Sequence, residues 1–128
     1  MTRFFLRSKI HRATVTEANV EYEGSITIDR ELLETACIRP YEKVEVYNVT
    51  QGTRLETYAI EGEAGRGDIC LNGAAAHLVD VGDKVIICCY GEFAEHEIDD
   101  HRPTLVFVGE GNRIKSIKHA ETAMTVSV

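Results

Sequence analysis

No apolar run in this 128-residue sequence approaches the ~18 residues that a membrane-spanning helix requires. Positive charge is also scarce, with 14 Lys and Arg against 21 Asp and Glu and a formal net charge of −7. That balance argues against nucleic acid and against an acidic membrane surface as partners. Arg3, Arg7, Lys9 and Arg12 fall where a secretory signal would need its apolar stretch, so a cytoplasmic protein is expected. Cysteine is sparse, and no Cys-x-x-Cys or His-x-x-x-His spacing of a zinc site occurs. Cys88 and Cys89 are neighbours, which on a strand face opposite ways. Reduced thiols are therefore expected, with no disulfide framework and no metal centre. The length fits one domain over residues 1–128 and leaves no room for a separate cofactor domain.

What is present reads as mainly strand. Residues 4–20 are rich in β-branched and aromatic side chains, with a break expected near Ser8. Their cations stand out in an acidic chain, and Lys9 and His11 fall on one strand face. An edge-protecting basic strand is the plain alternative. A short strand to Ile28 follows, then Asp29 as an N-cap and Arg30–Ala36 as a two-turn helix. Residues 42–49 alternate, with Val44 and Val46 on one side. Gln51-Gly52 makes a hairpin turn into a returning strand over 54–60. Three glycines mark a loop over 62–67, a short strand covers 69–71, and Ala74 starts a helical patch. Residues 84–90 read as a strand buried on both faces, 91–100 as an acidic surface excursion. Residues 104–108 and 113–117 predict a last hairpin, and nothing is assigned from His119 onward. An echo links 42–46 with 83–87, each after a short helical patch, which suggests a pseudo-symmetric barrel.

Tyr22-Glu23-Gly24-Ser25 would by itself read as a turn. It occurs with Asn72-Gly73-Ala74-Ala75-Ala76-His77, with Lys9-Ile10-His11-Arg12 and with a strand running from Arg54 to Tyr58. In this order and spacing, across residues 4–108, the set resembles the aspartate decarboxylase family, whose members make a pyruvoyl cofactor from an internal serine. The resemblance implies a small double-psi β-barrel with a few short helices. It also implies self-cleavage between Gly24 and Ser25, into a short N-terminal β chain and a longer C-terminal α chain. Gly24 suits that chemistry because no Cβ blocks its carbonyl, while a serine hydroxyl needs activation by the fold. The resulting ketone would take the substrate amine as a Schiff base and act as an electron sink.

The same resemblance assigns the remaining residues. The implied reaction is decarboxylation of L-aspartate to β-alanine for pantothenate synthesis. Lys9 and Arg54 become substrate-binding residues, with Arg54 expected to grip the carboxylate that is retained. Tyr58 becomes the proton donor, since an ordinary phenol keeps its proton at neutral pH. Thr57 and Asn72 offer neutral donors to the oxyanion formed at Gly24, and Thr57 also contacts substrate. Gly73, Ala74 and Ala75 line the pocket, with His11 and Tyr22 as supporting residues. Tyr47 stands where many relatives carry tryptophan, so a flat wall is kept and a hydroxyl added. Thr57 and Tyr58, being adjacent, should face opposite ways, so they either sit at a distortion or serve different subunits. Family members are homotetramers with active sites between subunits, and maturation proceeds either alone or with a helper protein.

A non-enzymatic barrel acting as a binding module is the other reading. It predicts an uncut chain and indifference to loss of the Ser25 hydroxyl.

Overall fold

The computed structural model describes residues 1–126. It is mainly strand, with a few short helices, as expected. The elements in order are β1 (Thr2–Thr14), β2 (Glu17–Asn19), β3 (Ile26–Asp29), α1 (Arg30–Ala36), β4 (Lys43–Asn48), β5 (Arg54–Gly62) and β6 (Ile69–Asn72). They continue through a 3₁₀ turn (Gly73–Leu78), β7 (Lys84–Ala94), α2 (Glu95–Ile98), β8 (Thr104–Val108), a second 3₁₀ turn (Glu110–Asn112) and β9 (Ile114–Lys118).

The strands form one sheet in the order β2-β6-β3-β5-β4-β7-β1-β8-β9. β1 and β2 belong to one run of chain, bridged by Val15 and Thr16, whose amides donate to Asp83 O and Ile69 O. β2 pairs with β6 at one end of the order, while β1 pairs with β7 and β8 near the other. The sheet therefore closes on itself as a barrel. Pairing is also symmetric about the central antiparallel pair β4/β7. On one side the pairs run antiparallel β4/β5, parallel β5/β3 and antiparallel β3/β6. On the other they run antiparallel β7/β1, parallel β1/β8 and antiparallel β8/β9. The sequence echo meets at that axis, with Val46 opposite Ile87. The pseudo-symmetric barrel suggested by a five-residue repeat is thus present in the hydrogen bonding.

Ile10, Ile26, Ile28, Leu32, Leu33, Val44, Val46, Ile69, Leu71, Val85 and Ile87 fill the interior. Each is essentially inaccessible to water, so truncating one of the leucines or isoleucines to alanine costs about 2–5 kcal/mol. Asp29 caps α1 as expected, accepting from Glu31 N at 2.8 Å. It also accepts from Gly65 N and Gly67 N, which ties the glycine loop to the helix start. Arg7 closes the far end of α1, donating to Cys37 O and pairing with Glu42 at 2.6 Å.

Three expectations change. β1 does not break near Ser8; it passes through with a register shift between Leu6 and Ser8, so Arg7 is accommodated as a bulge. β7 runs on to Ala94, because its N-terminal partner β1 extends back to Thr2, and only then does the acidic surface turn begin. The alanine patch forms a 3₁₀ turn of six residues, Gly73 entering it at φ 61°. All four cysteines are free. Burial pushes Cys70, Cys88 and Cys89 up to about 11, leaving them as protonated, unreactive thiols at neutral pH.

Candidate active site

The parallel register of β3 with β5 sets Ile26 beside Ala59, so the preceding residue, Ser25, comes against Tyr58. The Ser25 side chain is only 5% exposed and its hydroxyl donates to the Tyr58 carbonyl oxygen. On its other side, Asn72 N donates to Ser25 O at 2.7 Å, so two strands grip the residue. Gly24 holds φ 84°, a conformation that disfavours any side chain. A Cβ there would stand 3.1 Å from Ile60 Cδ1 and 3.9 Å from the Tyr58 hydroxyl. Gly73 holds φ 61°, which likewise disfavours a side chain, while its Cβ would be in ordinary contact, 3.5 Å, with the carbonyl oxygens of Gly24 and Tyr22. Gly73 and the Tyr58 phenol thus both border Gly24.

A cavity of about 340 Å³ opens beside this peptide. Gly24, Ser25, Thr57, Tyr58, Asn72, Ala74 and Ala75 all contribute to its wall, which unites seven of the residues singled out in the sequence. Thr57 and Tyr58 alternate as adjacent strand residues must, the first half-buried and the second 41% exposed, yet both reach the cavity. The Tyr58 ring is stacked on Tyr41, with centroids 6.2 Å apart and planes at 28°. Asn72 is buried, and its side chain is engaged elsewhere. Its amide donates to Thr27 Oγ1 at 3.1 Å and its oxygen accepts from the Cys70 thiol at 3.0 Å. In this conformation its contact with the Gly24–Ser25 unit is made by its backbone.

The other sequence-derived residues lie apart. Lys9 and His11 share a face of β1, as the alternation requires, opposite the buried Ser8 and Ile10. Three strands stand between β1 and β3 in the sheet order. Lys9 Nζ pairs with Glu121 Oε2 at 2.7 Å, so the stretch left unassigned in the sequence lands on a residue singled out as substrate-binding. Arg54 and Tyr58 occupy the same face of β5 but are four residues apart, roughly 13 Å along a strand. The Arg54 guanidinium lies over the Tyr47 ring, 4.2 Å from its centroid. Tyr22 is exposed, and a hydrogen bond to the Glu17 carboxylate raises its phenol above the ordinary value.

Sequence reasoning passed over Tyr41, Thr27 and Glu121, each of which touches a residue named above. Only tertiary register brings them there, and no spacing signal could have found them.

His11 packs its ring against Phe107, centroids 5.1 Å apart. Burial, followed by the nearby charges of Lys9 and Arg12 and opposed by Glu121, lowers its pKa from the ordinary 6.5. The unfolded chain then takes up this proton at higher pH than the folded one. His11 contributes stability that is complete above pH 6.5 and is lost as pH falls through the folded value. The melting temperature is expected to drop on acidification from neutral pH, and His11→Gln to flatten that drop; an equal slope in both proteins would place the loss elsewhere.

Residues 1–115 match the family model described as aspartate decarboxylase. A protein named aspartate 1-decarboxylase from Myxococcus xanthus (strain DK1622) is 60% identical over 114 residues, covering 89% of this chain and 88% of that one. One of the same name from Legionella pneumophila (strain Paris) is 59% identical, covering 91% and 87%. Another from Desulfitobacterium hafniense (strain Y51) is 57% identical, covering 94% and 95%. Among solved structures, a computationally designed protein is similar at 17% identity and a TM-score of 0.41, over 68% of this chain and 96% of that one.

Proposed function

This chain belongs to the aspartate decarboxylase family, and from that premise we propose how its own residues carry out the reaction. It is a carboxy-lyase that converts L-aspartate to β-alanine and carbon dioxide, a supply of β-alanine for pantothenate and coenzyme A. The observation that carries the mechanism is a buried serine, Ser25, directly after a positive-φ glycine, at a cavity large enough for a small amino acid.

Ser25 and Gly24 fit the formation of a pyruvoyl group. The Ser25 Oγ attacks the Gly24 carbonyl carbon, and the bond from that carbon to the Ser25 nitrogen is exchanged for an ester. Loss of the α-proton of residue 25 then breaks its Cβ–Oγ bond, leaving a carboxylate on Gly24 and a dehydroalanine. Water replaces the nitrogen, ammonia leaves, and residue 25 ends as a ketone. Gly24 permits the close approach because a side chain there would strain the backbone and press on Ile60. Asn72 N donates to the Ser25 carbonyl oxygen, and Thr57, which lines the same cavity as Gly24, donates to the oxyanion formed there. A pyruvoyl group at residue 25 would supply an electrophilic carbonyl for the substrate amine and an electron sink for decarboxylation. Tyr58 Oη delivers the proton that replaces the lost carboxylate. Gly73, Ala74 and Ala75 shape the floor, where small residues leave room for substrate.

Arg54, helped by Lys9, holds the carboxylate that is retained, since a tight ion pair on the departing one would stabilise the ground state. Neither lines the Ser25 cavity of its own chain. That absence supports a composite site, with Lys9 and Arg54 provided by a neighbouring subunit of a homotetramer. Co-expression of Lys9→Ala with Ser25→Ala chains tests this. Random assembly gives about a quarter of sites both intact residues, and activity returns to about that level at low aspartate. Silence in the mixture would mean that both residues act within one chain.

Substrate must also displace Glu121 from Lys9. An ion pair with one half-exposed partner is worth about 0.2–1 kcal/mol, small enough for a ligand carboxylate to replace. Glu121→Gln is expected to lower KM for aspartate roughly two- to fivefold with kcat unchanged; an unchanged KM would remove the tail from the site.

Cytoplasmic location is part of this proposal, supported by four free thiols in a chain with no membrane-spanning helix among its described residues. The test of the reaction is product analysis with L-aspartate. β-Alanine is expected; L-alanine would mean that the other carboxylate leaves, and no carbon dioxide would favour the binding module.

A further inference from the structure

Arg54 makes no ion pair among the described residues; its guanidinium carbon lies over the Tyr47 ring, 4.2 Å from the centroid. A guanidinium grips a carboxylate through two parallel N–H bonds, so its orientation decides whether both can form. A surface tyrosine on a strand would leave that orientation loose, because its ring pivots about two side-chain torsions. Here the far end of the ring is fixed. Tyr47 Oη donates to Glu45 Oε1 at 3.0 Å and lies 2.9 Å from Tyr90 Oη.

The sheet explains why these groups meet. Glu45 and Tyr47 share one face of β4, opposite the buried Val44 and Val46. β7 lies alongside with Cys88 opposite Glu45, and Tyr90 follows two residues later on the same face. Glu45, Tyr47, Cys88 and Tyr90, with Phe4 and Lys43, line a cavity of about 510 Å³. Both phenols are raised above their ordinary value, chiefly by burial, so both hydroxyls keep the protons these bonds need.

We propose that Glu45 and Tyr90 are positioning residues for aspartate: they fix the Tyr47 ring, and the ring presents the Arg54 guanidinium edge-on to the retained carboxylate. This rests on the reading of Arg54 as a substrate-binding residue. The pair touches neither Ser25 nor the Tyr58 proton, so its loss is felt in binding and not in turnover.

The experiment is a double-mutant cycle on the processed enzyme. Tyr90→Phe and Tyr47→Phe each raise KM for L-aspartate roughly three- to tenfold, with kcat within about twofold. Because both changes break the same bond, the double variant is no worse than the weaker-binding single. Glu45→Gln, which keeps an acceptor, stays near wild type, whereas Glu45→Ala behaves like Tyr90→Phe. An unchanged KM in Tyr90→Phe, additive losses in the double variant, or a fall in kcat at fixed KM would overturn the proposal, as would a lowered melting temperature with KM unmoved. Arg54→Lys separates the two layers, since it keeps the charge but loses the fork. If it leaves KM untouched, the reading of Arg54 fails; if it raises KM while Tyr90→Phe does not, only the positioning proposal fails.

Discussion

Ser25→Ala yields one uncut chain of full length and no detectable decarboxylation of aspartate. The variant removes both the nucleophile for cleavage and the atoms from which the ketone is made. The loss is therefore the whole cofactor-dependent acceleration, on the order of 10⁶-fold or more. Folding is expected to survive. The hydroxyl makes one hydrogen bond, to the Tyr58 carbonyl, and losing one neutral bond costs about 1 kcal/mol. The grip of Asn72 N on the Ser25 carbonyl is untouched by the substitution. A folded, uncut and inactive protein thus separates the chemistry from the scaffold. A variant that is still cut would locate the nucleophile elsewhere.

Tyr58→Phe should cleave normally and turn over poorly. The Ser25 hydroxyl is held by the Tyr58 main-chain oxygen, which phenylalanine keeps, so maturation proceeds. The Tyr41 stack keeps the ring in place, so KM changes little. What disappears is the proton donor, and general-acid contributions are typically 10²–10⁴-fold, so kcat falls within that range. Single-turnover measurement of carbon dioxide release against β-alanine formation tells whether protonation has become the slow step. Normal turnover in the phenylalanine variant would mean that water, or another side chain, supplies the proton.

The fold was legible where period and chemistry agree. The alternation of Val44 and Val46, the Asp29 cap and the Gln51-Gly52 turn are local, and each appears as read. The echo across 42–46 and 83–87 was short, yet it marked the true axis of the sheet. β7 was cut short because its last residues, Gly91 to Ala94, look like surface and are held as strand only by pairing with Thr2 to Phe5. That pairing joins residues some ninety positions apart, which no local pattern encodes. In the site, the residues flanking the Gly24–Ser25 peptide came together because one parallel register and one crossing strand place them. Lys9, Arg54 and Tyr47 did not join them within one chain. Nothing in their spacing distinguishes a site completed by the same chain from one completed by a neighbour. The sequence shows that Tyr47 adds a hydroxyl to a flat wall; the partners of that hydroxyl, Glu45 and Tyr90, are visible only with the strands side by side.

An intact mass spectrum of the purified protein under denaturing conditions reads self-processing at Ser25 directly. Two species are expected, one ending at Gly24 with a free carboxylate and one beginning at residue 25 with a pyruvoyl group in place of the serine nitrogen. A single mass equal to the whole chain, unchanged after incubation at raised temperature, would contradict self-processing at Ser25 and leave a barrel that binds without cutting itself.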